Sequence, residues 1–194
     1  MKEYNFFAML DRMKYINRWG LMRPTMRENI AEHSLDTAIL AHGLAMIGNI
    51  YFGKQLNAER IAVLAIFHDV TEIITGDMPT PIKYFAPEIR EAYQQVERYA
   101  GEQMVSGLPE QMQEEYRKLL MAEESESENW KYVKAADKLS AYMKCVEERN
   151  MGNRDFAQAE KTTRQAVESL GMEEVAYFLK HFLPAYEITL DEQI

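Results

Sequence analysis

The segment NIAEHSLDTAILAHGLAMIGNI, Asn29 to Ile50, decides the fold class. Ile30, His33, Thr37, Leu40, Leu44 and Ile47 recur at steps of three and four residues, which sets them along one face of a helix turned toward a core. Asn29 stands ahead of the stripe as an N-cap, and Glu32 three residues on completes a relaxed capping box. The spacing predicts a helix to about Ile50, with His33 pointing inward near its start.

The same period continues through almost all of the chain, and no stretch alternates β-branched with polar residues, so an all-α fold is expected. Upstream, a short helix over about 4–15 leads into an irregular stretch from Asn17 to Arg27, where Arg18, Trp19, Gly20 and Pro24 favour a loop. Downstream, a helix begins after Asn57 with Ile61, Leu64, Ala65 and His68 on one stripe. It is expected to continue through Asp69 and Glu72 to a C-cap at Gly76. The two prolines of DMPTP, Asp77 to Pro81, argue against a regular helix and for a stiff turn. Pro87 and Pro109 each open a helix, reaching about Gly107 and Met121, and the acidic run EESESE, Glu123 to Glu128, reads as a solvated loop. A long helix over about 129–150 places Val133, Ala136, Asp137, Ser140, Ala141 and Met143 mostly on one face. Two shorter helices over about 155–170 and 172–181 flank Gly171, and Pro184 introduces a tail.

A chain of 194 residues suits one domain with a sizeable core, and 47% hydrophobic with 27% charged residues is the balance of a folded globular protein. A net charge of −9 argues against a nucleic-acid polymer as partner, because polyanions are captured by broad basic surfaces. No apolar run has the length of a membrane span, and the N-terminus lacks the apolar core and cleavage site of a signal peptide, so a cytoplasmic protein without a membrane partner is expected. Cys145, the single cysteine, cannot form an internal disulfide and reads as a small core residue.

His68-Asp69 ends the strongly apolar run IAVLAIFHD, Ile61 to Asp69. The dipeptide alone is weak, but here two good metal ligands stand where a helix leaves the core. His33 at the core-facing start of another helix and Asp137 on the core face of a third complete a His2Asp2 set drawn from three helices, the way helical bundles build metal sites. Mixed nitrogen and carboxylate ligands suit one divalent ion of the Mn, Fe, Co, Ni or Zn group, with positions left for water and a substrate oxygen. Each residue also has a structural reading: His33 as a core histidine bonded to backbone, His68-Asp69 as a helix-end pair, Asp137 as half of a buried ion pair. One ion accounts for all four together. His42 follows His33 by about two and a half helical turns, faces away from the site and reads as structural. His181 has no acidic companion at ligand spacing, which leaves a mononuclear set.

The order EHS (Glu32 to Ser34), HDVTE (His68 to Glu72) and AADKLSAY (Ala135 to Tyr142) resembles the signature of the HD-domain phosphohydrolases. INRWGLMR (Ile16 to Arg23), TGDMPTPIKYF (Thr75 to Phe85) and YMKCVEE (Tyr142 to Glu148) further resemble the bacterial 5′-deoxynucleotidases of the YfbR type. The resemblance implies a helical fold, a homodimer, and removal of phosphate from deoxyribonucleoside 5′-monophosphates. It puts the metal on His33, His68, Asp69 and Asp137, and gives Arg18 the task of orienting the phosphate, for which a planar charged fork is suited. It sets Trp19 beside the sugar, where a rigid indole would exclude a ribose 2′-hydroxyl. Glu72 would hydrogen-bond a metal-bound water, and Asp77 would share in positioning water or protonating the leaving group. Asp77, Met78, Pro79 and Thr80, with His33, Asp69 and Asp137, would line the substrate. Alternatives are another HD phosphohydrolase acting on a nucleoside triphosphate, cyclic dinucleotide or alarmone, a non-catalytic nucleotide sensor, or a structural interaction protein.

Overall fold

The computed structural model describes residues 3–83 and 85–194, and all their side chains except those at 123 and 124. Tyr84 of the Thr75–Phe85 block and the side chains of Glu123 and Glu124 therefore lie outside the described residues. The first helix is shorter than its spacing predicts: α1 (Phe6–Leu10) tightens into a 3-10 turn at Asp11–Tyr15. The irregular stretch follows as expected, pinched at its base by an antiparallel bridge between Asn17 and Asn29.

Helix α2 (Ile30–Tyr51) begins at the predicted capping box. Asn29 Oδ1 accepts from the Ala31 and Glu32 N–H groups at 3.0 and 3.1 Å, and Glu32 Oε2 accepts from the Asn29 N–H at 3.2 Å. α3 (Ala58–Phe67) packs along α2, capped by Asn57, whose side chain accepts from the Arg60 N–H at 2.9 Å.

α3 does not run on to Gly76. It ends at Phe67, residues 68–71 form a turn, and the chain resumes helically as α4 (Glu72–Thr75). The Ala65 carbonyl, which a continuing helix would offer to the Asp69 N–H, accepts instead from His68 Nδ1 at 2.7 Å. Three-residue bonds then tighten the turn, with Val70 N–H on Phe67 O and Glu72 N–H on Asp69 O. Gly76 closes α4 at φ 74°, a conformation that suits glycine.

Asp77–Pro79 are non-helical, but the stiff turn is shorter than expected, because Thr80–Lys83 form a four-residue helix, α5. Pro81 sits in its first turn, where a missing N–H costs nothing. α6 (Pro87–Ser106) and α7 (Glu110–Leu120) follow at the predicted prolines.

The acidic run is not a loop. α8 (Ala122–Ser125) and the start of α9 (Ser127–Asn150) occupy it, and Glu126 between them accepts from Arg60 Nε and Nη2 at 3.0 and 2.5 Å. An ion pair to α3 has converted what reads as solvated charge into a helix junction. After a 3-10 turn at Arg154–Phe156 come α10 (Ala157–Glu168) and α11 (Glu173–His181), either side of Gly171 at φ 63°. The tail also folds, as a 3-10 turn at Leu183–Glu187 and α12 (Leu190–Gln193).

Leu44, Ala45, Ile61, Leu64, Ala65, Val133, Ala136 and Leu139 join α2, α3 and α9 in a fully buried core. Each large aliphatic side chain there contributes roughly 1.5–3 kcal/mol. Phe6, Met13, Ile30, Val70, Met104 and Leu108 form a second cluster. His33 follows Ile30 on α2 and His68-Asp69 lie between Ala65 and Val70, so the polar residues stand at the seam of the two clusters. Among the described residues, no helix is long and apolar enough to cross a membrane.

Candidate metal centre and substrate pocket

Three elements deliver the four ligand candidates. His33 is wholly buried on the first turn of α2, His68 and Asp69 lie in the turn after α3, and Asp137 stands midway along α9. Ligand atoms of His33, His68 and Asp69 all lie within 4.8 Å of one another. His33 Nε2 is 3.4 Å from Asp69 Oδ2 and 3.2 Å from Asp137 Oδ1. His68 Nε2 is 3.1 Å from Asp69 Oδ2 and 4.0 Å from Asp137 Oδ1.

The donor set fits a cation. His68 Nδ1 is taken by the Ala65 carbonyl, which leaves Nε2 facing the cluster, and that atom is buried without a hydrogen bond. An imidazole nitrogen so placed, with two carboxylates beside it, is short of a positive partner. The charges agree. Burial and Arg18 pull the His33 imidazole down, but Asp137, Asp69 and Glu28 outweigh them and hold it well above its ordinary value. Burial pushes the Asp69 and Asp137 carboxyls up, yet the two histidines keep both below the usual carboxylate range. The raised imidazole marks a place that favours positive charge, which a metal ion would also supply.

Arg18 reaches one of these carboxylates from the loop, its Nη1 at 3.5 Å from Asp69 Oδ2. Trp19 follows at φ 61°, a left-handed conformation rare for a bulky residue, with its ring tilted against Phe156 at 5.2 Å between centroids. Glu72 is buried at the start of α4, and burial, then Asp69 and Asp77, push its carboxyl up to about 9. A cation beside Asp69 would lower it again and favour the ionised carboxylate. Asp77 lies in the same field: burial raises it, while Arg18 and the Trp19 backbone N–H draw it down. Met78 and Pro79 are half-buried and Thr80 is exposed. His42 is exposed on the outer side of α2 rather than packed, and His181 lies at a tilt against Tyr177, 4.4 Å between centroids.

Three residues of this neighbourhood have no assigned task in the sequence reading. Ser140 Oγ lies 3.2 Å from His33 Nδ1, Thr37 Oγ1 lies 3.5 and 3.4 Å from the two ring nitrogens, and Glu28 Oε1 lies 3.6 Å from Nδ1. Thr37 follows His33 by one helical turn and Ser140 follows Asp137 by one, a spacing that could have flagged both. Glu28 lies in the loop, where no period points to it.

The family model for 5′-deoxynucleotidase YfbR-like proteins matches residues 5–186. The chain belongs to the YfbR-like 5′-deoxynucleotidase family. A 5′-deoxynucleotidase of Vibrio cholerae serotype O1 is 48% identical over 99% of both chains. The 5′-deoxynucleotidase YfbR of Salmonella paratyphi B is 44% identical over 99% of this chain and 96% of its own. Among solved structures, an HD-domain phosphohydrolase of Listeria innocua superposes with a TM-score of 0.81 at 26% identity, covering 94% of this chain and 88% of that one. The cyanophage S-2L HD phosphohydrolase DatZ, bound to dA and one catalytic zinc ion, superposes with a TM-score of 0.67 at 21% identity, covering 94% and 97%. The YfbR-like chain is accordingly a helical HD-domain enzyme, a hydrolase of the 5′-deoxynucleotidase class.

Proposed function

We propose that the whole chain acts as one domain that hydrolyses deoxyribonucleoside 5′-monophosphates to deoxyribonucleosides and phosphate at the cluster of His33, His68, Asp69 and Asp137. The observation that carries this reading is the orphaned Nε2 of His68, aimed between two half-buried carboxylates within reach of the Arg18 fork. The names of the relatives support the substrate class, and the bound dA and zinc of DatZ are in keeping with it.

The four residues would hold one divalent transition-metal ion, with Asp69, Asp137 and His33 also bordering the substrate. Such an ion, when bound, supplies Lewis-acid polarisation of a phosphate oxygen and a lowered pKa for the attacking water. Arg18 receives the remaining phosphate oxygens on its planar fork and is held in place by Asp69. The indole of Trp19 stands against the sugar and leaves no room for a 2′-hydroxyl. Glu72 takes a proton from the attacking water, a task suited to a carboxyl whose affinity for protons burial has raised. Asp77 positions that water or returns a proton to the departing 5′-oxygen, and Met78, Pro79 and Thr80 continue the substrate wall.

The reading includes a cytoplasmic homodimer, as the family resemblance implies. The dimer has support in α2, which is apolar on its outer side too, with Leu35, Ile39, Met46 and Ile50 exposed. Between α2 and α9 a groove of about 690 Å³ is lined by apolar side chains such as Leu35, Ile39 and Met143 and by charged ones such as Glu32, Asp36 and Lys144. Light scattering behind size exclusion tests it, and a monomer at micromolar concentration would discard it.

Phosphate release from a panel of deoxyribo- and ribonucleoside 5′-mono- and triphosphates, by metal-stripped protein resupplied with Co, Mn, Zn, Fe or Ni, tests the activity. Metal-dependent release confined to deoxy monophosphates is expected. Release from triphosphates alone would move the substrate and keep the metal chemistry, and tight nucleotide binding without release would favour a sensor.

A further inference from the structure

We infer that Glu28 is a positioning residue for sugar discrimination: its buried carboxylate fixes the Trp19 indole in the orientation that excludes ribose. The inference rests on the reading of Trp19 as the sugar wall.

A wall rejects one extra hydroxyl only if it cannot swing aside, since tolerance at such a contact is a fraction of an ångström. Trp19 has little intrinsic reason to hold still. It stands in the exposed-loop segment between Asn17 and Asn29, at φ 61°, a conformation that bulky residues keep only when neighbours compel it. Phe156 packs against the ring at a tilt, 5.2 Å between centroids, an apolar contact that is not directional as a hydrogen bond is. The directional restraint comes from Glu28, whose Oε2 accepts from the indole Nε1 at 2.6 Å.

Glu28 is itself well anchored. It is 8% exposed, it lies one residue before the Asn29 cap of α2, and its backbone carbonyl accepts from the Arg18 N–H at 2.9 Å. The adjoining cap of α2 and the backbone pairing at the base of the loop set its position. The carboxylate also faces Arg18 Nε at 3.5 Å from Oε2 and His33 Nδ1 at 3.6 Å from Oε1. A buried anion needs such partners, and here they are the phosphate fork and a metal-site histidine. One carboxylate thus ties the sugar wall to the two groups that locate the phosphate.

The test uses full-length protein with Glu28→Ala and Glu28→Gln, read in two ways. The first is the indole N–H resonance of Trp19 in nitrogen-15-labelled protein, told from that of Trp130 by Trp19→Phe. The second is kcat/KM for a deoxyribonucleoside 5′-monophosphate against its ribose counterpart. In Glu28→Ala the indole resonance moves upfield and its proton exchanges faster, and the deoxy-to-ribo ratio falls about tenfold. Glu28→Gln, which still offers a carbonyl to the indole, keeps the ratio within about threefold of the parent. If Glu28→Ala does not fold, Glu28→Asp withdraws the acceptor while keeping the charge, and the ratio is read there. An unmoved indole, or an unchanged ratio with the indole released, overturns the inference alone. A parent protein that hydrolyses both sugars equally overturns the sugar-wall reading and the inference with it.

Discussion

Nε2 of His33 on α2 stands 3.2 Å from Oδ1 of Asp137 on α9, so the two longest helices of the described chain meet at a pair of ligand candidates. Removing Asp137 leaves His33 facing Asp69 and Glu28, and removing His33 leaves Asp137 facing His68 at 4.0 Å.

Asp137→Ala and His68→Ala are each expected to lower metal affinity by about a hundredfold or more, and turnover with it. Elemental analysis after dialysis and phosphate release check this. Full turnover by chelated parent protein would discard the metal mechanism.

Metal loading should release protons. Near pH 7 the His33 imidazole, held up by Asp137, Asp69 and Glu28 against its burial, is protonated, and so is Glu72, pushed up to about 9 by burial and by Asp69 and Asp77. A divalent ion displaces the imidazolium charge and favours the ionised Glu72 carboxylate, so roughly one to two protons should leave per ion, and affinity should rise with pH toward about 9. Calorimetry in two buffers of different ionisation enthalpy measures the number. Loading without proton release would show that His33 is already neutral and Glu72 already ionised.

Glu148 is fully buried and accepts from the Thr25 and Met26 N–H groups at 2.8 and 3.2 Å, from Asn153 Nδ2 at 2.7 Å, and pairs with Lys144 Nζ at 2.9 Å. Burial opposes ionisation, but Lys144 and these donors win and draw its carboxyl down to about 2. A depressed folded-state pKa means that stability is fully present above the ordinary value of 4.5 and is lost as pH falls toward about 2. The linkage corresponds to about 3 kcal/mol. Glu148→Gln should therefore show a shallower loss of stability across that window in urea titrations. Because Glu148 pins the loop that carries Arg18 and Trp19, it should also raise KM.

Trp19→Gly and Trp19→Ala should both increase the relative rate on ribonucleotides. They should differ in stability, because only glycine is at ease at φ 61°, by about 1 kcal/mol in favour of glycine. Equal urea midpoints would mean that the backbone relaxes once the ring is gone.

Local signals made much of this protein readable. The Asn29–Glu32 box, the Asn57 cap and the prolines at 87 and 109 act through neighbouring atoms, so they mark helix starts in the sequence itself. The inward face of α2 was legible for the same reason: a stripe of period 3.6 has one way to hide from water. Two of the departures, α3 ending short of Gly76 and the acidic run folding as helix, involve partners distant from the local pattern or in competition with it. A histidine side chain takes the Ala65 carbonyl in one, and Arg60, far off in the chain, binds Glu126 in the other.

Periodicity and residue type were thus enough for an all-α fold, for His33 and Asp137 on helix faces, and for motifs that name the family. The approach of His33, His68, Asp69 and Asp137, the left-handed Trp19, and the place of Glu28 among Arg18, Trp19 and His33 came from packing α2, α3, α9 and the loop together. Hydrogen bonds and charge pairs between segments remote in sequence depend on distances that no periodicity encodes. Glu28 in a loop looks like any surface glutamate until the fold buries it.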